Sequence, residues 1–292
     1  EAEALAGSIL FADFTVSDSS AGDAATVTLH AQENISGSQR LDVVNSFVSL
    51  TAGSNITMPV LTGMEGADIV LIADGDIRIV AADGLSVDLN ASTMAATAGG
   101  SITLGNLRLG KTVEGAITHG SSLDLTANDF IHAGDGALDG STLTAYTDDG
   151  GIIFGNLTGT YGSEIRLKTH TYNVLGADIE TGDVTLNGSR IIFEAFNDIV
   201  VGNLSEVYGS NAKLTAEGSV TAGNAQLSAS VLNALAVNGS IAMGDITETV
   251  GSVVTLDADR NISAGNVDLS GASLMEATAN TGAITLGIMA IR

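Results

Sequence analysis

The stretch Leu256-Asp-Ala-Asp-Arg-Asn-Ile262-Ser-Ala-Gly-Asn-Val267 contains the pattern that decides the fold. A large apolar residue, Leu256, and a small one, Ala258, stand six and four positions before Ile262. Gly, Asn and an aliphatic residue follow at the third, fourth and fifth positions after it. The even offsets place the apolar side chains on one face of an extended chain, and Gly followed by Asn is typical of a turn. The stretch therefore predicts short strands separated by tight turns.

The same pattern recurs along most of the sequence, each time around an isoleucine or valine anchor. These anchors are Ile35, Ile56, Ile77, Ile102, Ile131, Ile152, Ile179, Ile199, Val220, Ile241, Ile262 and Ile284. Most of them follow one another at nearly equal spacing, and three intervals are longer: Ile77 to Ile102, Ile102 to Ile131 and Ile152 to Ile179. A segment of about 21 residues is too short for a core of its own, so the repeats must stack. We predict an all-β fold, a single-stranded parallel β-helix (β-solenoid), right-handed, with three strands in each of about 12 coils of ~21 residues.

The chain has no linker-like stretch, so we predict one solenoid domain over 29–292. Residues 1–28 are predicted to form an N-terminal strand or cap segment, because Leu5, Ile9, Phe11 and Phe14 precede the first regular coil. Residues 1–4, Glu-Ala-Glu-Ala, are similar to the spacer left by a yeast secretion leader and are a candidate expression scar. The three longer intervals predict loops that bulge from the stack.

Composition narrows the classes of function. Ten Lys and Arg against 34 Asp and Glu give a net charge of −24, which disfavours nucleic acid and anionic lipid surfaces as partners. The chain has no Cys, so disulfides, thiol nucleophiles and thiolate metal sites are excluded. No run of about 18 to 20 apolar residues is present, so direct membrane insertion is not expected. A mean hydropathy of +0.33 argues against disorder.

The repeat resembles the β-helical repeats of filamentous-haemagglutinin-like exoproteins, from about Leu29 to Ile284. These are bacterial surface or secreted adhesins, commonly exported by two-partner secretion. The resemblance implies a secreted or cell-surface location and a structural or adhesive role. The secretion domain of that family carries an Asn-Pro-Asn motif, whereas the one proline here is Pro59, within Thr57-Met58-Pro59-Val60. That domain therefore lies outside this sequence, or export takes another route.

Turn residues at equivalent positions predict a structural ladder, in which stacked amides bond to one another along the stack. Its members are Asn106, Asn156, Asn203, Asn224 and Asn266.

Two groups of charged residues are candidate sites. One group surrounds the longest interval and comprises Asp135, Asp139, Asp148 and Asp149. Carboxylates placed among glycines are suitable ligands for Ca²⁺. No known calcium-binding motif is present in this part of the sequence. The simpler interpretation is that these four aspartates are ordinary polar residues of turns. Arg166 and Lys168 project from one face of one predicted strand and are candidate ligand residues, with a solvated strand face as the alternative. No other cofactor is expected, and the common catalytic motifs are absent, so we predict no enzyme activity.

The function we predict is an extracellular structural or adhesive element that binds cell-surface or matrix glycans and proteins, as in a biofilm matrix. The apolar segments 5–16 and 283–292 suggest head-to-tail stacking into a fibre, unless the first segment caps its own column. The net charge of −24 predicts that such a fibre depends on cations. A carbohydrate-binding or polysaccharide-cleaving β-helix near Arg166, Lys168 and the Asp135 to Asp149 loop is the alternative. An ice-binding solenoid, suggested by outward Thr residues, is a third reading.

Overall fold

The computed structural model describes residues 2–17, 24–110, 112–113, 116–117, 120–170 and 176–292. The chain divides into two compact units, Glu1–Asp148 and Asp149–Arg292. The described residues form strands joined by turns and contain no helix. Among them, accordingly, no helix has the length and apolarity needed to span a bilayer. This result does not test the predicted boundary at residue 28. Within the predicted N-terminal segment, residues 1 and 18–23 lie outside the described residues.

Each unit is a parallel β-solenoid, which confirms the predicted fold class, with about 12 coils of about 21 residues in the chain as a whole. Every regular coil contributes one strand to each of three sheets, named A, B and C in the order in which the chain enters them. The strands of sheet A in the first unit are Ala2–Ala4, Thr26–Ala31, Phe47–Ala52, Asp68–Ala73, Thr93–Ala98, Ser122–Ala127 and Thr142–Thr147. Those in the second unit are Glu164–Thr169, Arg190–Ala195, Asn211–Ala216, Val231–Ala236, Val253–Ala258 and Leu274–Ala279.

Sheet B consists of three-residue strands, and each of them after the first begins at an anchor. They are Ile9–Phe11, Ile35–Gly37, Ile56–Met58, Ile77–Ile79, Ile102–Leu104 and Ile131–Ala133, then Ile152–Phe154, Ile179–Thr181, Ile199–Val201, Val220–Ala222, Ile241–Met243, Ile262–Ala264 and Ile284–Leu286. Sheet C comprises Phe14–Ser17, Arg40–Val44, Val60–Met64, Leu85–Asn90, Asn106–Leu109 and Gly136–Asp139, then Leu157–Thr160, Val184–Asn187, Leu204–Val207, Ala225–Ser228, Ile246–Thr249, Val267–Leu269 and Met289–Ile291.

Neighbouring coils are in register, so that equivalent residues of the repeat pair directly. Ile199 pairs with Ile179 on one side and with Val220 on the other. Phe193 pairs with Leu167 and Leu214 in the same way in sheet A. Because the side chains of a strand alternate between its two faces, one set fills the interior of each unit and the other faces outward.

The interior is aliphatic because the inward positions are the apolar positions of the repeat. Leu29, Leu50, Leu71, Leu214 and Leu256 are nearly or fully buried. Phe193 takes the same position and is fully buried. A buried alanine follows two residues after each of these side chains, which leaves room for the chain to turn towards sheet B.

The three longer intervals add residues at three different corners. The interval from Ile77 to Ile102 has a longer connection between Ile79 and Leu85, together with a register shift between Leu85 and Val87. The next interval extends the connection from Leu109 to Ser122, which includes the antiparallel strands Thr112–Val113 and Ala116–Ile117. The third extends the connection between Thr169 and Ile179, and residues 171–175 of it lie outside the described residues.

The N-terminal segment forms a coil of its own. Ala2–Ala4, Ile9–Phe11 and Phe14–Ser17 pair in parallel with Thr26–Ala31, Ile35–Gly37 and Arg40–Val44. The rings of Phe11 and Phe14 are tilted against each other with centroids 5.7 Å apart. The segment therefore continues the stack of the first unit.

Adjacent residues on one strand test the division between interior and surface. Ile199 is fully buried, whereas Val200 is 42% exposed. We expect Ile199→Ala to lower the free energy of unfolding of the second unit by about 2 to 5 kcal/mol, since it leaves a cavity in a stacked aliphatic column. Val200→Ala should cost less than about 1 kcal/mol. Urea unfolding followed by hydrogen exchange in residues 176–292 measures both, and equal losses would contradict the assignment of faces.

Candidate functional site

The corner between sheets B and C carries the predicted asparagines. Each side-chain Oδ1 accepts a hydrogen bond from the backbone N–H of the equivalent residue in the next coil. The backbone N–H of Asn224 donates to Asn203 Oδ1 at 3.0 Å, and that of Ile288 donates to Asn266 Oδ1 at 3.1 Å. In the first unit, the backbone N–H of Asp135 donates to Asn106 Oδ1 at 3.0 Å. These bonds satisfy turn amides that no strand partner reaches.

Two aspartates complete this ladder in the second unit, and the sequence analysis did not include them. The backbone N–H of Asp183 donates to Asn156 Oδ1 at 2.8 Å, and Asp183 Oδ1 accepts from the backbone N–H of Asn203 at 2.8 Å. Asp245 lies between Asn224 and Asn266 in the same way. Side chain to side chain bonding, which the sequence suggested, is present between Asn203 Nδ2 and Asp183 Oδ1 at 3.1 Å. The main contact of the ladder is instead from backbone to side chain.

A glycine precedes each ladder residue, and at Gly202 the closeness of the coils requires it. A Cβ on Gly202 would lie 2.5 Å from Asp183 Oδ1 and 2.8 Å from the carbonyl carbon of Gly182. These distances are shorter than van der Waals contact, so the Gly-Asn and Gly-Asp pairs of the sequence are part of the same ladder.

A second ladder occupies the corner between sheets A and B, at the residue before most of the anchors. The backbone N–H of Asp76 donates to Asn55 Oδ1 at 2.8 Å, and that of Ser219 donates to Asp198 Oδ1 at 2.6 Å. The Asn, Asp or Ser that usually precedes an anchor was the signal for it. No role was predicted for these residues from the sequence.

Serines form the third ladder, between sheets C and A, where the chain turns through a residue with positive φ. The backbone N–H of Ser252 donates to Ser273 Oγ at 3.2 Å, while Ser252 Oγ donates to the carbonyl of Thr249 at 2.8 Å. The preceding turn includes Val250, with φ of +55°, a conformation unusual for a β-branched residue. Each corner of the coil thus has its own polar column.

The four candidate calcium residues are distributed over three corners, and none lies in the longest insertion. Asp135 immediately precedes the sheet C strand Gly136–Asp139, and Asp139 is the last residue of that strand. Asp148 and Asp149 follow the sheet A strand Thr142–Thr147. Tyr146 Oη donates to Asp148 Oδ1 at 2.7 Å. In the described part of the chain, no three His, Cys, Asp or Glu side chains form a group that could hold a metal ion.

Arg166 and Lys168 belong to a larger charged patch on the outer face of sheet A in the second unit. The basic patch, as it is called below, comprises Arg166, Lys168, Arg190 and Lys213 together with Glu164 and Glu194. Arg166 Nη2 lies 2.7 Å from Glu164 Oε1, and the Nζ atoms of Lys168 and Lys213 lie 3.3 and 3.6 Å from the carboxylate of Glu194. Arg190 Nη1 lies 3.9 Å from Glu164 Oε1. Four cations and two carboxylates give a formal charge of +2 on a strongly acidic chain.

Two shallow surface cavities lie elsewhere. One, of about 180 Å³, runs along the outer face of sheet C in the second unit and is lined by Ser205, Val207, Gln226, Leu227, Ser228, Thr247 and Thr249. The other, of about 470 Å³, lies at the N-terminal coil beside Leu10, Phe11 and Ser38. Neither is lined by the charged candidate residues.

The interior of the second unit contains two glutamates that the sequence analysis missed. Glu206 and Glu248 are fully buried, at the second inward position of their sheet C strands. None of their four carboxyl oxygens has a hydrogen-bond partner in the part of the chain that the structure describes. The sequence contained a signal for this burial. Other coils place Val43, Leu89, Leu186 or Leu227 at the equivalent position, so a glutamate there is predicted to face the interior. The two glutamates are also two periods of the repeat apart.

Both carboxyl groups are therefore poor acids. Burial raises the pKa of Glu206 to about 8, and the nearby backbone N–H of Ala212 opposes that shift only in part. Burial alone raises the pKa of Glu248 to about 7. The charged form is disfavoured because transfer of a carboxylate from water into an apolar interior without a partner is costly. Below neutral pH both side chains are protonated and neutral.

No known protein family matches this chain, and no curated protein and no solved structure matches it either.

Substitution at Asp183 tests the ladder between sheets B and C. Asp183→Ala removes the acceptor for the backbone N–H and the Nδ2 of Asn203, so we expect a loss of about 1 kcal/mol in the free energy of unfolding of the second unit. Asp183→Asn keeps the acceptor oxygen and should cost less. Urea unfolding of the three proteins measures the difference, and an asparagine variant as unstable as the alanine variant would contradict the role of the side-chain oxygen.

Proposed function

We propose that this chain is a non-enzymatic, secreted or cell-surface β-solenoid with a structural or adhesive role. Its finer assignment to filamentous-haemagglutinin-like repeats, of bacterial origin, is part of the same proposal. The observation that carries it is the regular coil: in-register strands surround an aliphatic interior, so the coil can be repeated by stacking alone. The outer faces then present side chains at a constant spacing along each sheet.

We propose that the chain assembles with copies of itself through the last described coil. Its strands Leu274–Ala279, Ile284–Leu286 and Met289–Ile291 pair on one side with the preceding coil. Ile284 is 46% exposed, whereas Ile262, its partner in the preceding coil, is fully buried. The edge of this coil would accept a further coil in register. We propose that the N-terminal coil of a second copy, with Ile9, Phe11 and Phe14 as its inward residues, can occupy that edge and so extend a fibre head to tail.

Variants at the two edges test this assembly. Ile284→Lys and Phe14→Lys each place a charge in one of the two proposed contact surfaces and should each prevent fibres. An equal mixture of the two variants should form dimers that grow no further, because each variant keeps one intact edge. Sedimentation velocity and negative-stain microscopy distinguish monomers, dimers and fibres.

Val200→Lys, on an outer face of the second unit, is the matched control and should assemble as the wild type does. A wild-type chain that remains monomeric at its highest soluble concentration would contradict the proposal, as would a mixture that forms fibres.

Assembly should need millimolar divalent cations and reverse with a chelator, since the net charge of −24 opposes association at low ionic strength. In this proposal Ca²⁺ acts as a counter-ion that reduces the repulsion between acidic copies of the chain.

The basic patch favours a second candidate function, the binding of acidic glycans. Exposed guanidinium and ammonium groups on neighbouring strands match a polymer with repeated carboxylates or sulfates, while Glu164 and Glu194 hold the cations in place. Because it lies on an outer face of the stack, the patch can contact a long polymer without a deep pocket. The proposed activity of the basic patch is the binding of glycans and does not include their cleavage.

Glycan arrays with a double variant of the basic patch and a control variant test this function. Arg166→Ala with Lys213→Ala should weaken binding to uronate-containing or sulfated glycans at least tenfold. Arg40→Ala is the control, because Arg40 is equally exposed and pairs at 2.7 Å with Asp42 two residues along its strand, as Arg166 pairs with Glu164. Equal losses in the two variants, or no glycan binding by the wild type, would contradict this function.

A further inference from the structure

The side chains that neighbour Glu206 and Glu248 in sheet C are apolar. Along sheet C, Glu206 pairs with Leu186 and Leu227, and Glu248 pairs with Leu227 and Leu269. The inward residues of sheets A and B in these coils include the following buried side chains: Ile191, Phe193, Ala212, Leu214, Leu232, Ala234, Val254, Leu256, Ile199, Val201, Val220, Ile241 and Ile262.

The charged groups on the adjacent strands lie on the outer faces. Arg190, Glu194 and Lys213 of sheet A have half-exposed side chains that pair with one another or with Glu164. Asp257 alternates with buried Val254 and Leu256 on its strand and so faces outward. Asp268, beside Thr247, lies 3.3 Å from Arg292 Nη2. Among the described residues, no Lys, Arg or His is buried, so no cation reaches either glutamate from within.

We propose that Glu206 and Glu248 make the second unit a pH-sensitive element. While both carboxyl groups are protonated, the coils between Leu204 and Thr249 remain closed around them. When they lose their protons to solvent, the buried carboxylates face no cation in the described part of the chain, and these coils open to hydrate them. The two glutamates act on the same segment, because one coil, with Leu227 at the equivalent position, separates them.

The direction of the effect follows from the proton affinities of the closed and open segments. The closed segment holds its protons up to pH values of about 7 for Glu248 and about 8 for Glu206, whereas an open segment releases them near the ordinary pKa of 4.5. Closure is therefore most stable below that ordinary pKa and weakens as the pH rises. Between about pH 5 and 7 an opening that exposes both groups should become about 100-fold more frequent per pH unit, and the increase should end above about pH 8.

Hydrogen exchange of the full chain between pH 5 and 9, corrected for the intrinsic exchange rate, tests the proposal. Protection of Leu204–Val207, Ala225–Ser228 and Ile246–Thr249 should fall with pH in the wild type. The strands Leu85–Asn90 and Asn106–Leu109 of the first unit, which carry Leu89 and Leu109 at the equivalent position, should keep theirs. A wild-type profile independent of pH, or an equal loss in the first unit, would overturn it.

Two double variants complete the test. Glu206→Gln with Glu248→Gln removes the ionisation and leaves buried amides, while Glu206→Leu with Glu248→Leu extends the leucine column of Leu186, Leu227 and Leu269. Both should abolish the dependence on pH, and the leucine variant should remain closed at pH 9. Glu180→Gln, at an exposed position of the same unit, should behave as the wild type. A leucine variant that still opens with rising pH would show that other groups are responsible.

Discussion

The hydrogen-bonded register between successive coils is the constraint on which the rest of this structure depends. In a parallel stack, every strand must meet its equivalent in the next coil, so each coil has to return the chain to the same place. A single-residue slip in any strand would turn its apolar side chains outward and its polar ones inward. The nearly constant spacing of the anchors from Ile179 to Ile284 is the direct expression of this requirement.

The three polar columns at the corners solve a problem that the register creates. Where the chain turns, backbone amides leave the sheets and would remain without partners. Oxygen atoms of Asn, Asp and Ser side chains accept from these amides in the neighbouring coil, and so the bonding between coils continues around the corners. Longer insertions are tolerated only in the connections, where they leave the strands on either side in register.

The period, the three strands of each coil and the inward apolar positions could be predicted from the sequence, because each is a local pattern repeated many times. The asparagines at the corner between sheets B and C could be recognised for the same reason. Asp183 and Asp245 escaped recognition because their role depends on an acceptor oxygen, which Asn and Asp share, and the prediction considered amides alone. The basic patch required the pairing of strands from three successive coils, which brings Arg166 and Lys213 onto one face only after folding.

Equal coil lengths also bear on how such a chain can change over time. From Ile199 to Ile262 the anchors are equally spaced, and each of them pairs with the anchors one period before and after it. Loss or duplication of one whole period would join strands that already fit each other. Recombination between the corresponding gene segments could therefore lengthen or shorten the protein in single steps, with no new interface to be selected.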